Sequence, residues 1–378
     1  MEKLALVVGA TGQVGRAAVR ALVADGWHVR AAARGLRAGA PWPPGWNVEL
    51  VSLDREDDTG LAAAVGDGCD VLVDTVAHDA RHARQLLRFA DRIGSAVVVS
   101  SAAVYLDDVG RGFGVEGVRF PVPIAETQPT VAPLGPDART PGPDARTPGD
   151  DGPDERGRDD DRRDDDRRDQ DGYAAGKAAL ERELLAAGAV LPTTLLRAGA
   201  IHGAHTVHPR EWHFVKRALD RRPVRVLSYR GESRFHPVST ANLAELIRLA
   251  AREPGARVLN AGDPEPPTVR EIGAAVHAVL DHDAEDVLID GPSPVPPVGE
   301  TPWSTPHPVV LDMGLAQRQL GYRPVTGYLD SLPETVRWLV DAARGRDWRT
   351  VFPDLARNYR TDYFDYLAED AWLRRRTP

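Results

Sequence analysis

The sequence predicts an α/β fold: a doubly wound parallel sheet, then a smaller C-terminal α/β substrate domain, with one disordered insertion. Three observations predict it. The apolar run over residues 4–8 breaks into Gly9, Gly12 and Gly15 and resumes as an Ala/Val-rich segment ending at Trp27, which reads as buried strand, tight turn and helix. Apolar runs of strand length then alternate with helical patterns over the first hundred residues, as in a parallel sheet covered on both faces. Residues 132–170, by contrast, hold almost no apolar side chain and repeat Gly-Pro-Asp-Ala-Arg-Thr-Pro in tandem at 135–141 and 142–148. Such a stretch cannot bury enough surface to offset its ordering entropy, so it is expected to be a disordered surface loop.

Taken in order, the glycines of the first turn permit a tight bend, close approach of a pyrophosphate and close packing of helix on strand. Gly9, Thr11, Gly12, Gln13, Val14 and Gly15 are therefore expected to bind a dinucleotide, with the N–H groups of the helix N-terminus facing its phosphates. Residues 28–34 read as the second strand. At its end an acidic residue would bind a ribose 2′-hydroxyl and an arginine a 2′-phosphate; Arg34 stands there, with Arg30 and Arg37 near it, which favours NADP over NAD. Residues 46–53 are the third strand, ending beside Asp54, which is expected to approach the adenine. A helix at 60–65, a strand at 70–77, a helix at 78–93 and a strand at 95–101 follow. Thr75 and Ala77 lie at the carboxyl end of the fourth strand, in the expected ligand crevice.

Beyond the insertion, a helix is expected over 171–187 and strands over 189–196, 224–229 and 257–262. Loop and helix fill 204–223, and a helix spans 240–251. Thr268 stands three residues before Glu271, the spacing of a capping box at a helix start. The Pro-rich stretch 292–308 reads as loop, and two or three short helices complete the chain.

Composition bounds the rest. A chain of 378 residues suggests about two domains. The net charge is −9, but residues 150–171 hold twelve acidic residues and six arginines, so most of the excess is local and no nucleic-acid partner is expected. Cys69, the single cysteine, excludes an intramolecular disulfide and reads as a small core residue. No apolar stretch approaches the ~20 residues of a membrane span, so a cytoplasmic protein without a membrane partner is expected. His205, His208 and His213 match no metal-ligand spacing, and no metal is expected.

Two constellations carry the chemistry. Ser100 and Ser101 end the fifth strand, ahead of Val104 and Tyr105, where their hydroxyls would face a bound cofactor. Tyr173 and Lys177 are four apart, on one helical face. An ammonium close to a phenol favours the ionised form, so this pair suits proton transfer during hydride transfer, with Lys177 also bonding the nicotinamide ribose and Ser101 holding the substrate oxygen.

With these residues the chain resembles the extended short-chain dehydrogenase/reductase superfamily, in its NAD-dependent epimerase/dehydratase branch. The matching residues are the turn from Gly9 to Gly15, Ser100-Ser101 with Val104-Tyr105, and Tyr173 with Lys177. Residues 196–203, Asn242-Leu243-Ala244, residues 320–324 and Trp338 match further on. The resemblance implies a Rossmann domain over residues 1–200, interrupted by the insertion at 132–170. Residues 201–378 would be mainly substrate-binding, with some segments returning to the Rossmann core. It implies Ser101, Tyr173 and Lys177 as catalytic residues and Tyr105, Arg197, His202, Trp212 and Arg234 as substrate residues. Ala102 and Ala103 replace the acid and base that sugar 4,6-dehydratases of the family carry, which disfavours dehydration. Asn242 takes the place of a family aspartate. The expected function is NAD(P)-dependent hydride transfer on a small or nucleotide-linked substrate, with a homodimer possible. A nucleotide-sugar epimerase with tightly bound NAD is the nearest alternative, and a non-catalytic NADP-sensing or RNA-associated protein the third.

Overall fold

The computed structural model describes residues 3–34, 42–135, 159–358 and 362–376. Seven strands form the central sheet: β1 (Leu4–Val8), β2 (His28–Ala33), β3 (Val48–Ser52), β4 (Val71–Asp74), β5 (Ala96–Ser101), β6 (Thr193–Ala198) and β10 (Arg257–Ala261). Their order is β10-β6-β5-β4-β1-β2-β3, every pair parallel. The order reverses between β1 and β4, which opens a crevice at their carboxyl ends.

Alternation within the strands sends neighbours to opposite faces. Ala5, Val7, Val29, Val73 and Val97 pack beneath α1 (Gln13–Ala24) and α6 (Thr240–Arg252). Leu6, Val8, Leu72 and Val98 pack against α2 (Asp58–Val65), α3 (Ala80–Leu87) and α4 (Asp159–Ala186). Both faces are thus covered, and Cys69 lies buried in the second layer, where burial pushes its thiol up to about 12.

A second unit, gathered around its own buried cluster, contains β7 (Ala200–His202), α5 (Trp212–Leu219), β8 (Val224–Leu227), β9 (Pro237–Ser239), α7 (Val269–Val279) and β11 (Glu285–Leu288). Of the five C-terminal helices, α8 (Gly314–Leu320) packs on the main core through Ala316 and Leu320, whereas α9 (Tyr328–Ala343), α10 (Trp348–Val351), α11 (Pro353–Asn358) and α12 (Tyr366–Arg376) complete the second unit. Two parallel pairs, β7 with β9 and β8 with β11, add small sheets. Phe214, Ile272, Trp303, Leu332 and Val336 share its core. The chain crosses back twice, first for α6 and for β10, which joins the edge of the main sheet beside β6, and again for α8.

Three expectations change. The segment 132–170 is not wholly a loop: residues 159–170 are the first turns of α4, and Leu134 N donates to Ala175 O at 3.0 Å. The sequence there repeats Asp and Arg at spacings of three and four, which suits a helix running on into the apolar-periodic 171–186. Residues 136–158 lie outside the described residues. The helices after residue 308 number five among the described residues, because short apolar groups around Trp348, Phe352 and Leu355 dock onto the second core. Strand six begins at Thr193, after a turn over residues 187–190, and not at residue 189. Among the described residues no helix is long and apolar enough to cross a membrane.

Candidate active site

Gly9 leaves β1 with φ 81°, and its N–H and that of Ala10 both reach Ala32 O, at 3.0 and 3.1 Å. A Cβ on Gly9 would stand 2.4 Å from Thr75 Oγ1, and one on Gly15 would stand 2.2 Å from Gly9 O. The turn therefore lets β1, β4 and α1 meet at backbone distance, and Thr75 Oγ1 seals the join by donating to Val8 O at 2.9 Å. Gly12 caps α1 without a side-chain hydrogen bond, and no acidic residue lies in the first turn of that helix. The Gln13 amide nitrogen is buried with no partner among the described residues. Open helix N–H groups, a glycine cradle and an unpartnered donor fit a dinucleotide pyrophosphate; Thr11 and Val14 flank the cradle, Val14 buried in the core.

Arg34 is exposed at the end of β2. Arg30 does not join it: its guanidinium donates to Glu49 at 3.1 Å and to Ala64 O and Val65 O at the end of α2. Arg37 lies outside the described residues. Asp54 is exposed after β3, accepting the N–H of Glu56 at 3.0 Å.

The buried Lys177 Nζ donates to Ala77 O at 2.6 Å and Val99 O at 2.9 Å, tying together the ends of β4 and β5. It stands 5.7 Å from the centre of the half-buried Tyr173 ring. Ser101 Oγ accepts the N–H of Ala103 at 3.1 Å, which leaves its hydroxyl hydrogen to donate outward. Ser100 turns the other way, donating to the buried Glu181 at 2.6 Å, so the two adjacent serines do different work. His78, absent from the expected set, packs edge-on against Tyr173 at 6.1 Å. Burial and then the Lys177 charge push its imidazole down to about 4, keeping it neutral at physiological pH. Its position one residue after Ala77 was the available signal.

The expected substrate residues do not converge. Tyr105 is fully buried, donating to Asn260 Oδ1 at 2.7 Å under the Arg197 guanidinium. Arg197 forks onto Glu181, with contacts at 3.1 and 2.7 Å, and Glu181 holds it charged despite burial. Both side chains are engaged inside the protein, behind the serines. His202 is buried too, with Nε2 2.7 Å from Asp263 Oδ2 and its ring 4.5 Å from Tyr328. Trp212 packs on Phe352 in the second core. Arg234, half-buried, donates to Pro266 O.

Asn242 gains a physical account. Its amide donates to Asp263 Oδ1 at 2.7 Å and to Thr326 O at 2.8 Å, while its oxygen accepts from Val325 N. The buried carboxylate of this node thus sits at 263. Burial pushes that carboxyl up, but His202, the Ser239 N–H and Asn242 together hold it below its ordinary value. Among the described residues no three His, Cys, Asp or Glu side chains are placed to hold a metal ion.

Residues 9–120 match a protein family described as NAD(P)H-binding. The chain shares its fold with an epimerase from Methanothermobacter thermautotrophicus, at 17% identity and TM-score 0.63 over 93% of this chain and 94% of that one. The UDP-N-acetylglucosamine 4-epimerase of Methanobrevibacter ruminantium, solved with UDP-N-acetylmuramic acid, aligns at 17% identity and TM-score 0.62, covering 90% and 99%. The Thermus thermophilus UDP-glucose 4-epimerase, solved with NAD, aligns at 22% and 0.58, covering 89% and 98%. Among curated proteins none matches the chain in sequence. The expected doubly wound α/β fold is the one observed.

Proposed function

We propose that this chain, with its NAD(P)H-binding domain and epimerase-like fold, is an NAD(P)-dependent oxidoreductase acting at a carbonyl or alcohol carbon. The observation that carries the reading is the junction at Lys177. One ammonium joins the carboxyl ends of β4 and β5 beside the glycine turn, with the Tyr173 ring 5.7 Å away and Ser101 at the strand end. The nicotinamide, when bound, supplies or accepts the hydride. Ser101, its Oγ already accepting from Ala103 N, donates its hydrogen to the substrate oxygen and orients the reacting carbon. Tyr173 gives that oxygen a proton in reduction and takes one in oxidation, and the Lys177 charge stabilises the phenolate left behind. His78 shields this pair from one side. Ala102 and Ala103 offer no acid or base for eliminating water, which supports hydride transfer without dehydration.

Arg34 at the end of β2 supports NADP as the preferred cofactor, with NAD as the alternative. The substrate is a small or nucleotide-linked carbonyl compound. Relatives of this fold that are named UDP-sugar 4-epimerases, one solved with NAD, favour epimerisation with retained NAD as the second reading.

Mass spectrometry of cofactor released from the purified protein separates the two: exchangeable NADPH supports the reductase, tightly held NAD the epimerase. NADPH consumption over a panel of carbonyl compounds and UDP-sugars then tests turnover. Tyr173→Phe is expected to lower turnover at least a hundredfold with cofactor affinity within twofold of wild type; near-normal turnover would remove Tyr173 from the mechanism.

A further inference from the structure

Tyr173, Lys177 and Glu181 follow one another at spacings of four in α4, so they lie along one helical face. The proposed reaction uses the first two. Glu181 is as buried as Lys177. Its carboxylate accepts from Ser100 Oγ on β5 at 2.6 Å and from Arg197 Nε and Nη2 on β6 at 3.1 and 2.7 Å. Arg197 is itself fixed, donating to Glu126 O at 3.2 Å and lying 4.8 Å over the Tyr105 ring. One carboxylate thus ties the helix to two adjacent strands. The residue it takes on β5 stands between Val99, whose carbonyl receives Lys177, and Ser101.

Stability alone does not call for this pair, because a buried ion pair is often no more stabilising than apolar side chains of the same volume. What its directional bonds supply is register. The helix needs it here. Apart from Lys177, the buried residues between 174 and 179 are Ala174, Gly176, Ala178 and Ala179, whose shallow ridges hold a helix weakly against sliding. Lys177 does not prevent a slide either, since its ammonium reaches Ala77 O and Val99 O on a flexible four-carbon stem. The Tyr173 ring has no such slack and moves with the helix.

We infer that Glu181 is a positioning residue for Tyr173: held by Ser100 and Arg197, it sets the register of α4 along β5 and β6, and with it the distance from the Tyr173 hydroxyl to the substrate oxygen that Ser101 holds. The inference rests on the reading of Tyr173 and Lys177 as the proton-transfer pair. Glu181 acts through the helix, so its effect falls on turnover and not on cofactor affinity.

The test separates position from stability with the double substitution Glu181→Met/Arg197→Met, which fills the space without directional bonds. Its urea midpoint is expected at or above that of the wild type, and its NADPH affinity, read by fluorescence titration, within about twofold. Turnover of the best substrate from the carbonyl and UDP-sugar panel is expected to fall about tenfold or more, the order of loss that a displacement of ~1 Å brings. A crystal structure of the double variant should show α4 shifted along β5. Glu181→Gln, which leaves Arg197 without a counter-ion, should lower the urea midpoint as well as turnover. Glu369→Gln, which disturbs the buried pairs of α12, is the control, with a lowered midpoint and unchanged turnover. Full turnover in the double variant, or α4 in its original register, would overturn the positioning role. Full turnover in Tyr173→Phe would remove the proton-transfer reading and this role with it, whereas full turnover confined to the double variant removes only the role of Glu181.

Discussion

Gly15 leaves no room for a methyl group, because the atoms a Cβ would strike are backbone: Gly9 O at 2.2 Å and Ala10 Cα at 2.6 Å. Gly15→Ala is expected to cost about 1–3 kcal/mol, read as a lowered urea midpoint, and to weaken NADPH binding as the turn shifts. At Arg34 the expected outcome is selective. Arg34→Ala should weaken NADPH by about tenfold, the value of a charge-assisted contact, and leave NADH unchanged; equal losses would show that it does not read the 2′-phosphate. The glycine turn and the placing of Lys177 beside Tyr173 were legible because both depend on spacing along the chain. Tyr105 and Arg197 were not legible as interior residues. Asn260 stands 155 residues from Tyr105, and Glu181 reaches Arg197 from the helix α4, not from a neighbouring strand, so only the packing of β10 and α4 against β6 brings them together.

Local signals served well where an element is held by its own residues. Thr268 and Glu271 form both halves of a capping box on α7, as their spacing required. Thr268→Ala should cost about 1 kcal/mol, measurable by chemical denaturation. The C-terminal helix α12 is held from a distance: Glu369, buried, meets Arg217 at 2.6 Å and Arg222 at 2.8 Å, and Asp370 joins Arg222. Glu369→Ala would leave Arg217 buried without a counter-ion, an effect of about 3 kcal/mol. Faster proteolysis at the C-terminus, before the main sheet unfolds, is the outcome to look for. The strands β7, β9, β8 and β11 span three or four residues each and pair with non-local partners, so no window of sequence could mark their pairing.

For the molecule as a whole, buried neutral histidines set the acid limit. Burial, then neighbouring charges, push His78 and His82 down to about 4 and His277 to about 3. Their ordinary value is 6.5, so between that pH and 4 the unfolded chain binds more protons than the folded one and stability rises with pH. The contribution is complete above 6.5 and is lost as pH falls towards 4. The urea midpoint is expected to be level above pH 7 and to fall through that window. His277→Phe, which removes a buried ring with neither nitrogen partnered among the described residues, should flatten part of the fall; an unchanged slope would mean that His277 is solvated.

The sequence by itself determined the sheet, the glycine turn and the order of most elements, because hydrophobic period and turn chemistry are written along the chain. It also placed Tyr173 and Lys177 on one helical face. Only the tertiary structure decided which serine faces the crevice, that His78 stands against Tyr173, and that a buried carboxylate at Asp263 receives Asn242 and His202. Those arrangements are set by strand order and by packing between distant segments, which join residues that no local spacing relates.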